Sequence, residues 1–291
     1  VRVVVVGDAG VDLLARPEGG IVPGGDVRAG ARLACGGAGA NTARSLRACG
    51  AEPTLVARIG ADAGGRLVRA ELAASGVHCA FAVDPEAATC CVVVLLDAEG
   101  QRSMLADRGA AALLRAEDLA GCIPAGAAHL HLSGYVLLEE SSRAAGLAAL
   151  AAARAAGLST SVDPQAAALL TDPAAFLADI RGVDLLLPNA AELAALTGGP
   201  EPASAAALLG TVGAVAVTSG AHGAAWVDRT GVTTVPAEAV DCVDSTGAGD
   251  AFDAGVLTAW LRGHSPARAL RAGTRLAART ITHLGACRPP Y

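Results

Sequence analysis

The residues of this chain best suited to chemistry stand in the run Thr246-Gly247-Ala248-Gly249-Asp250. Bare backbone is followed at once by a carboxylate and then by the apolar stretch AFDAGVLTAWL, which reads as a helix. A helix start leaves several N–H groups without partners and carries a partial positive charge. Glycine lets an anion approach that backbone closely. The run therefore reads as a phosphate cradle made without lysine. An acid beside such a cradle suits a general base: Asp250 would take a proton from an attacking hydroxyl while the amides of Gly247, Ala248 and Gly249 hold the transferring phosphoryl group. The competing role is structural, a charge in the first helical turn worth about 1 kcal/mol.

A second glycine cluster, CGGAGAN from Cys35 to Asn41, also opens a helix. Gly36 and Gly37 supply a pivot and exposed amides. Asn41 offers both a donor and an acceptor, as sugar hydroxyls require. A rival reading is the start of a dinucleotide fingerprint, Gly37-x-Gly39, with Asp62 as the ribose acid; the third glycine is missing, and Thr42 stands there. In LLLPNAAEL, Asn189 and Glu192 are three apart at a helix start, an amide and a carboxylate suited to water-mediated Mg²⁺ and phosphate contacts; an ordinary helix N-terminus after proline has the same pattern. In AVAVTSGAHG a buried strand ends at Thr218, with Gly220 and Gly223 beyond, where open sheets collect ligands. Asp12 follows the first strand near the same rim.

Composition narrows the chemistry. Lysine is absent, and all 22 basic residues of the 291 are arginine. That removes a Walker-type phosphate loop, the strand lysine of protein kinases, and Schiff-base or pyridoxal chemistry. The net charge of −6 without a basic cluster excludes a nucleic-acid partner. Eight cysteines show no metal-binding spacing and read as buried hydrophobes in a reducing cytosol. The apolar run at residues 1–6 reaches Gly7-Asp8 at once, so neither a secretory leader nor a membrane span is expected, and the chain is placed in the cytoplasm.

These residues need elements to hold them. Buried runs alternate with amphipathic stretches along the chain: strands at 1–6, 54–59, 128–132, 159–163, 184–187 and 212–218, and helices at 42–49, 64–75, 116–120, 141–156 and 190–196. A hairpin at 224–227 and 233–236 follows, then helices at 251–262 and 266–284. The order predicts a doubly wound, mostly parallel sheet. Two stretches break the rhythm, residues 13–35 and residues 80–107, the latter with strands at 89–96 and 102–106 around a turn at 97–100. They are expected to form a small separate β-sheet serving as a lid, over an α/β body of residues 1–12, 36–79 and 108–291. A lid would shield a phosphoryl donor from water.

Taken together the motifs resemble the ribokinase-like, or PfkB, family of carbohydrate kinases over nearly the whole length. DSTGAGDAFDAG is similar to the family's C-terminal signature, and GGAGANTARSLRACGAEPTLVARIGADAGG to its N-terminal one. Asn189-Ala-Ala-Glu192 matches its Asn-x-x-Glu motif, and Thr218-Ser-Gly220 its nucleotide-site strand end. The resemblance implies a three-layer α/β/α fold with a small β lid, and transfer of the ATP γ-phosphoryl group to a sugar or nucleoside hydroxyl with Mg²⁺. It implies Asp250 as base over the 247–249 anion hole, and Asp12, Gly36, Gly37 and Asn41 against substrate hydroxyls. Asn189 and Glu192 would then serve Mg²⁺ and phosphate, with Thr218, Gly220 and Gly223 bordering the nucleotide. A K⁺-like ion beside the anion hole would involve Asp244 and Thr246, with Gly285 as a C-terminal contributor. Arg108 resembles a family arginine near the lid hinge. The chain departs from the pattern at DPQAA (163–167): Gln165 stands where many sugar-specific members have Asn, and their Arg is gone, which counts against a fructokinase or a ketodeoxygluconate kinase. Seven aromatics in the whole chain favour a sugar over a nucleoside, whose base is often stacked on rings. A catalytically silent ligand-binding homologue on the same fold is the remaining alternative. The apolar stretch 92–96 on an exposed lid sheet predicts a homodimer through the lid.

Overall fold

The apolar run at the start of the chain forms β1 (Arg2–Val6), and its side chains serve two cores. Val3 and Val5 enter one and Val4 and Val6 the other, as the two-residue period of a strand requires. A strand buried on both faces needs helices on both sides of its sheet, and the computed structural model, which describes residues 1–21, 23–96, 102–283 and 285–286, supplies them.

After β1 the chain crosses to β2 (Gly10–Pro17) and β3 (Ala29–Gly36), then enters α1 (Ala38–Ala48), β4 (Glu52–Gly60), α2 (Ala63–Ala74) and β5 (His78–Asp84). Two more strands follow, β6 (Cys90–Leu96) and β7 (Arg102–Asp107). The second half comprises β8 (Ala127–Ser133), α3 (Tyr135–Leu138), α4 (Glu140–Ala155), β9 (Ser159–Asp163), α5 (Pro173–Asp179), β10 (Leu185–Leu186), α6 (Ala190–Thr197) and β11 (Ala214–Thr218). The hairpin β12 (Ala224–Asp228) and β13 (Gly231–Val235) precedes the last helices, α7 (Ala248–Leu261) and α8 (Pro266–Thr280).

Nine strands form one sheet in the order β13-β12-β11-β10-β9-β8-β1-β4-β5. Seven are joined by parallel pairing, and β12 and β13 are added at one edge by antiparallel pairing, so that only β12 runs against the rest. Residues of α1, α2, α7 and α8 fill the core on one face, and residues of α4, α5 and α6 the core on the other. This is the three-layer α/β/α architecture expected. The chain winds one way from β1 through β4 to β5 and the other way from β8 to β11. The order therefore reverses between β1 and β8, the place where open sheets of this kind bind ligands. No helix among the described residues is long and apolar enough to cross a membrane.

The remaining strands make a separate four-stranded sheet, β3-β2-β6-β7. Its limits differ from those read in the sequence. Residues 80–84 belong to the large sheet, because β5 pairs with β4 from Thr54↔His78 to Gly60↔Asp84. As an edge strand β5 is only half covered, so its apolar signal is weak. Conversely Asp12 and Gly36 lie on the small sheet, within the continuous β2–β3 ladder, not in the α/β body. The stretch 92–96 is not an exposed apolar strip either: β6 is an inner strand, and Val94 and Leu96 are buried. The large exposed apolar side chains of this sheet are Leu33, Met104 and Leu105. The turn expected at 97–100 lies outside the described residues. The stretch at 116–120 forms a 3-10 turn, Ala116–Leu119, instead of an α-helix.

Candidate active site

The helix that carries Asp250 begins earlier than its apolar pattern suggests. Gly247 is left-handed, with φ 74°, and stands as the N-cap of α7 with no side chain capping the helix. Asp250 is thereby in the first turn. A Cβ on Gly247 would lie 2.5 Å from the Cβ of Ala286, so only glycine fits there. A Cβ on Gly249 would meet nothing within 4 Å. The backbone at Gly249 thus faces open space at the positive end of a helix, the property an anion hole needs.

Asp250 is buried, and burial, the main cause, pushes its carboxyl up to about 7, aided by the charge of Asp8 and opposed by hydrogen bonds from Asn41, Gln165 and Thr42. A value near neutrality suits a general base. Asn41 Nδ2 donates to Asp250 Oδ2 at 3.0 Å. This bond brings the two glycine clusters together. The Asn41 amide nitrogen is thus engaged with the acid, and its Oδ1 is buried with no hydrogen-bond partner.

Asp12 and Gly36 meet across the β2–β3 ladder. The Asp12 carboxyl occupies the space a Cβ on Gly36 would need, which explains the glycine. Burial, and then the charges of Asp8 and Asp244, push Asp12 up to about 6. Gly37, at φ 97°, sits so close to the Asp8 backbone that a Cβ would fall 2.9 Å from its carbonyl oxygen. Asp8 was not singled out in the sequence. Its Oδ1 accepts from the Gly39 N–H (3.1 Å), its carbonyl from Ala40 N–H (3.0 Å), and its Oδ2 from Arg108 Nη1 (2.9 Å). The signal was available: Asp8 is the first acid after the buried run of β1, at the point where the strand order reverses. Arg108 also lies over the Tyr135 ring, 4.2 Å from its centroid. It is ion-paired to Asp8 at 2.9 Å.

Asn189 and Glu192 form a reciprocal cap on α6. Asn189 Oδ1 accepts from Glu192 N–H (2.9 Å), and Glu192 Oε2 accepts from Asn189 N–H (2.9 Å). Their side chains also bond directly, Asn189 Nδ2 to Glu192 Oε1 at 2.5 Å. The ordinary cap is therefore real, yet both residues also line a cavity of about 220 Å³ together with Asp163, Gln165, Asp253 and the 247–250 turn. Four carboxylates line it and, among the described residues, no arginine does. Asp163 and Asp253 are both held well above the usual carboxylate range, first by burial and then by neighbouring carboxylate charge. Neither was singled out as a site residue, although Asp253 lies three positions from Asp250 on the same helix. Gln165 takes φ 72°, rare for a non-glycine, and its N–H and Nε2 both bond Asp163, at 2.9 and 2.7 Å.

Thr218, Gly220 and Gly223 line a second cavity, of about 550 Å³, with Val240, Phe252 and Ile281. Its walls are mainly apolar, and it shares Ala248 and Gly249 with the acidic cavity. An apolar slot leading to a cradle of amides suits a nucleotide, base first and phosphates last. Asp244 holds the approach to the anion hole: it accepts from Thr246 N–H (2.9 Å), Thr246 Oγ1 (2.7 Å) and Gly285 N–H (2.8 Å). The three residues assigned to a K⁺-like site are thus adjacent, with the carboxylate already bonded to the other two. Asp62, the alternative ribose acid, instead caps α2, accepting from Gly65 N–H (2.8 Å), and ties down Thr89 through its N–H (2.8 Å) and Oγ1 (2.6 Å).

The pfkB family carbohydrate kinase model matches residues 2–290. A fructokinase of Klebsiella pneumoniae is 34% identical over 268 residues, covering 88% of this chain and 83% of its own. An ATP-dependent ribose-1-phosphate kinase of Halopiger xanaduensis is 31% identical over 260 residues, covering 89% and 84%. Among solved structures, adenosine kinase from Sinorhizobium meliloti superposes with a TM-score of 0.89 at 25% identity, covering 99% of this chain and 95% of that one.

Proposed function

This chain belongs to the pfkB family of carbohydrate kinases, and we propose that it transfers the γ-phosphoryl group of ATP to a hydroxyl of a small sugar, with Asp250 as the base. The observation that carries the reading is the Asn41–Asp250 bond: it fixes a buried carboxylate, poised near neutrality, beside backbone that is open to a ligand. Asp250 would accept the proton of the attacking hydroxyl, while the amides of Gly247, Ala248 and Gly249 take up charge on the transferring phosphoryl oxygens. Asp12, Gly36 and Gly37, on the small sheet and its junction with α1, would orient the sugar. Asn41 acts chiefly by aiming Asp250. Thr218, Gly220 and Gly223 would border the nucleotide.

The acidic cavity fits a divalent cation, since four carboxylates without a basic partner cannot receive a polyphosphate unaided. Asn189 and Glu192 would hold Mg²⁺ through water, their own polar atoms being occupied in the cap. Bound there, the ion supplies charge neutralisation to the phosphate oxygens. A K⁺-like ion at the Asp244–Thr246–Gly285 turn is part of the proposal. So are a cytoplasmic location, supported by the free thiols of the described cysteines, and a homodimer through the small sheet, supported by exposed Leu33, Met104 and Leu105.

The likeness to adenosine kinase favours a second reading, a nucleoside acceptor. The test is ADP release with ATP and Mg²⁺ over a panel of sugars and nucleosides, with and without K⁺. Turnover on a pentose or hexose supports the first reading, and turnover confined to nucleosides the second. Nucleotide binding without turnover on any acceptor would leave a silent homologue.

A further inference from the structure

The apolar slot has two ends. Thr218, Ser245, Ala248 and Gly249 also line the acidic cavity, which marks them as the phosphate end. Away from it the walls are largely hydrocarbon, with Ala221, Val240, Ala277 and Ile281 among them. Such walls hold a base by its faces and distinguish one purine from another only weakly. Among the described lining residues a single charged side chain stands away from the phosphate end, Glu238. Thr274, which also lines the slot, donates its hydroxyl proton to the Arg271 carbonyl of its own helix at 3.3 Å. Glu238 Oε1 accepts from Arg275 Nε at 3.0 Å, and the two side chains are 47% and 69% exposed. An ion pair so open to water is worth little, so it does not withhold the carboxylate from a ligand.

We propose that Glu238 reads the base edge of the phosphoryl donor, and that the slot takes GTP at least as well as ATP. A carboxylate paired to an arginine only accepts hydrogen bonds. Guanine presents two neighbouring donors on one edge, N1–H and the N2 amino group, and a carboxylate takes both at once. Adenine presents one donor on that edge, the N6 amino group, and beside it the N1 lone pair, which repels the second carboxylate oxygen. Glu238 therefore gains one bond more from guanine and meets no repulsion there. Hypoxanthine, with N1–H but no N2 amino group, offers one bond of the two. Arg275 competes for the same carboxylate and so weakens the preference. The inference rests on the kinase reading for the placing of base and phosphates, and it is tested by binding, without turnover.

The experiment is calorimetry on the full chain with Mg²⁺ and the non-hydrolysable analogues of ATP, GTP and ITP, for the wild type, Glu238→Ala and Arg275→Ala. Both side chains are exposed, so neither variant threatens the fold. In the wild type the GTP analogue should bind at least as tightly as the ATP analogue. Glu238→Ala should weaken the GTP analogue about tenfold and the ITP analogue less, while the ATP analogue changes by no more than about threefold. Arg275→Ala frees the carboxylate and should tighten the GTP analogue. A wild type that binds the ATP analogue more tightly than the GTP analogue, or a Glu238→Ala variant that loses both equally, would overturn the proposal. Guanine-selective binding without turnover on any acceptor would sink the kinase reading and leave this one standing. Turnover with ATP by a protein whose slot rejects GTP would do the reverse, and binding of no analogue would remove both.

Discussion

The two glycine clusters have nearly the same sequence grammar and opposite fates. Each places a positive-φ glycine, Gly37 or Gly247, just before a helix, and each leaves amides at that helix start. At α1 the protein fills its own cradle: the side chain and carbonyl of Asp8 take the N–H groups of Gly39 and Ala40. At α7, among the described residues, no side chain caps the helix, only the Ala248 N–H is engaged, by the Ser245 carbonyl at 3.2 Å, and the space over Gly249 is open. A glycine-rich helix start is thus a capacity for anion binding, and the structure decides whether an internal acid or an external ligand uses it. Here the closed cluster braces the site and the open one faces the reaction.

The largest effect should come from removing the acid at the open cluster. Asp250→Asn is expected to lower turnover by about 10²–10⁴-fold, while nucleotide affinity measured by calorimetry stays within a few-fold. Near-normal turnover would take Asp250 out of the base role. Next is the acid that closes the other cluster. Asp8→Ala strands Arg108 in a partly buried position and uncaps α1, a loss of about 3 kcal/mol in urea unfolding. A change below 0.5 kcal/mol would mean that Asp8 braces nothing.

The glycines themselves should then separate. A Cβ on Gly39 would fall 2.9 Å from backbone atoms of Asp8, so Gly39→Ala should destabilise by about 2 kcal/mol. Gly249→Ala should leave the melting temperature nearly unchanged and weaken nucleotide binding, about tenfold by the scale of one lost charge-assisted bond. Equal stability losses in the two variants would erase the distinction between closed and open clusters.

The smallest expected effect is on stability against pH. The folded-state carboxyl of Asp250 titrates near 7 against an ordinary 3.8. Its raised value favours the folded protein fully below the ordinary value, and that contribution is lost as pH rises through 7. Asp250→Asn removes the titration, so the variant's advantage over the wild type should be smallest below about pH 4, grow between the ordinary and the folded value, and level off by pH 8.5. A gain of about 2–4 °C in melting temperature corresponds to roughly 1 kcal/mol. A variant less stable at pH 8.5 would show that the ionised carboxylate is better solvated than its burial implies.

Most of the large sheet was legible because parallel strands buried on both faces carry uninterrupted apolar runs: the strand 159–163 coincides with β9, and β1 and β4 differ from their runs only at the ends. Edge strands were harder. The half-covered β5 lacks such a run and was joined to the small sheet. The apolar pattern starts α7 three residues late because Gly249 and Asp250 have weak helix propensity, whereas the left-handed Gly247 fixes the start. The Asn189–Glu192 spacing announced a cap, which the structure contains, but its place on a cavity wall required the fold. Asp8, Asp163 and Asp253 look like ordinary acids in a row of letters. Their importance comes from burial beside one another, a property of tertiary packing alone.

The central claim is that ligand phosphate is received by the amides of α7 and not by those of α1. Amide chemical-shift mapping with a non-hydrolysable ATP analogue and Mg²⁺ tests it directly. Large shifts at Gly247, Ala248 and Gly249, with Gly39 and Ala40 nearly still, is the predicted pattern. Large shifts at Gly39 and Ala40 with Gly249 unmoved would contradict it.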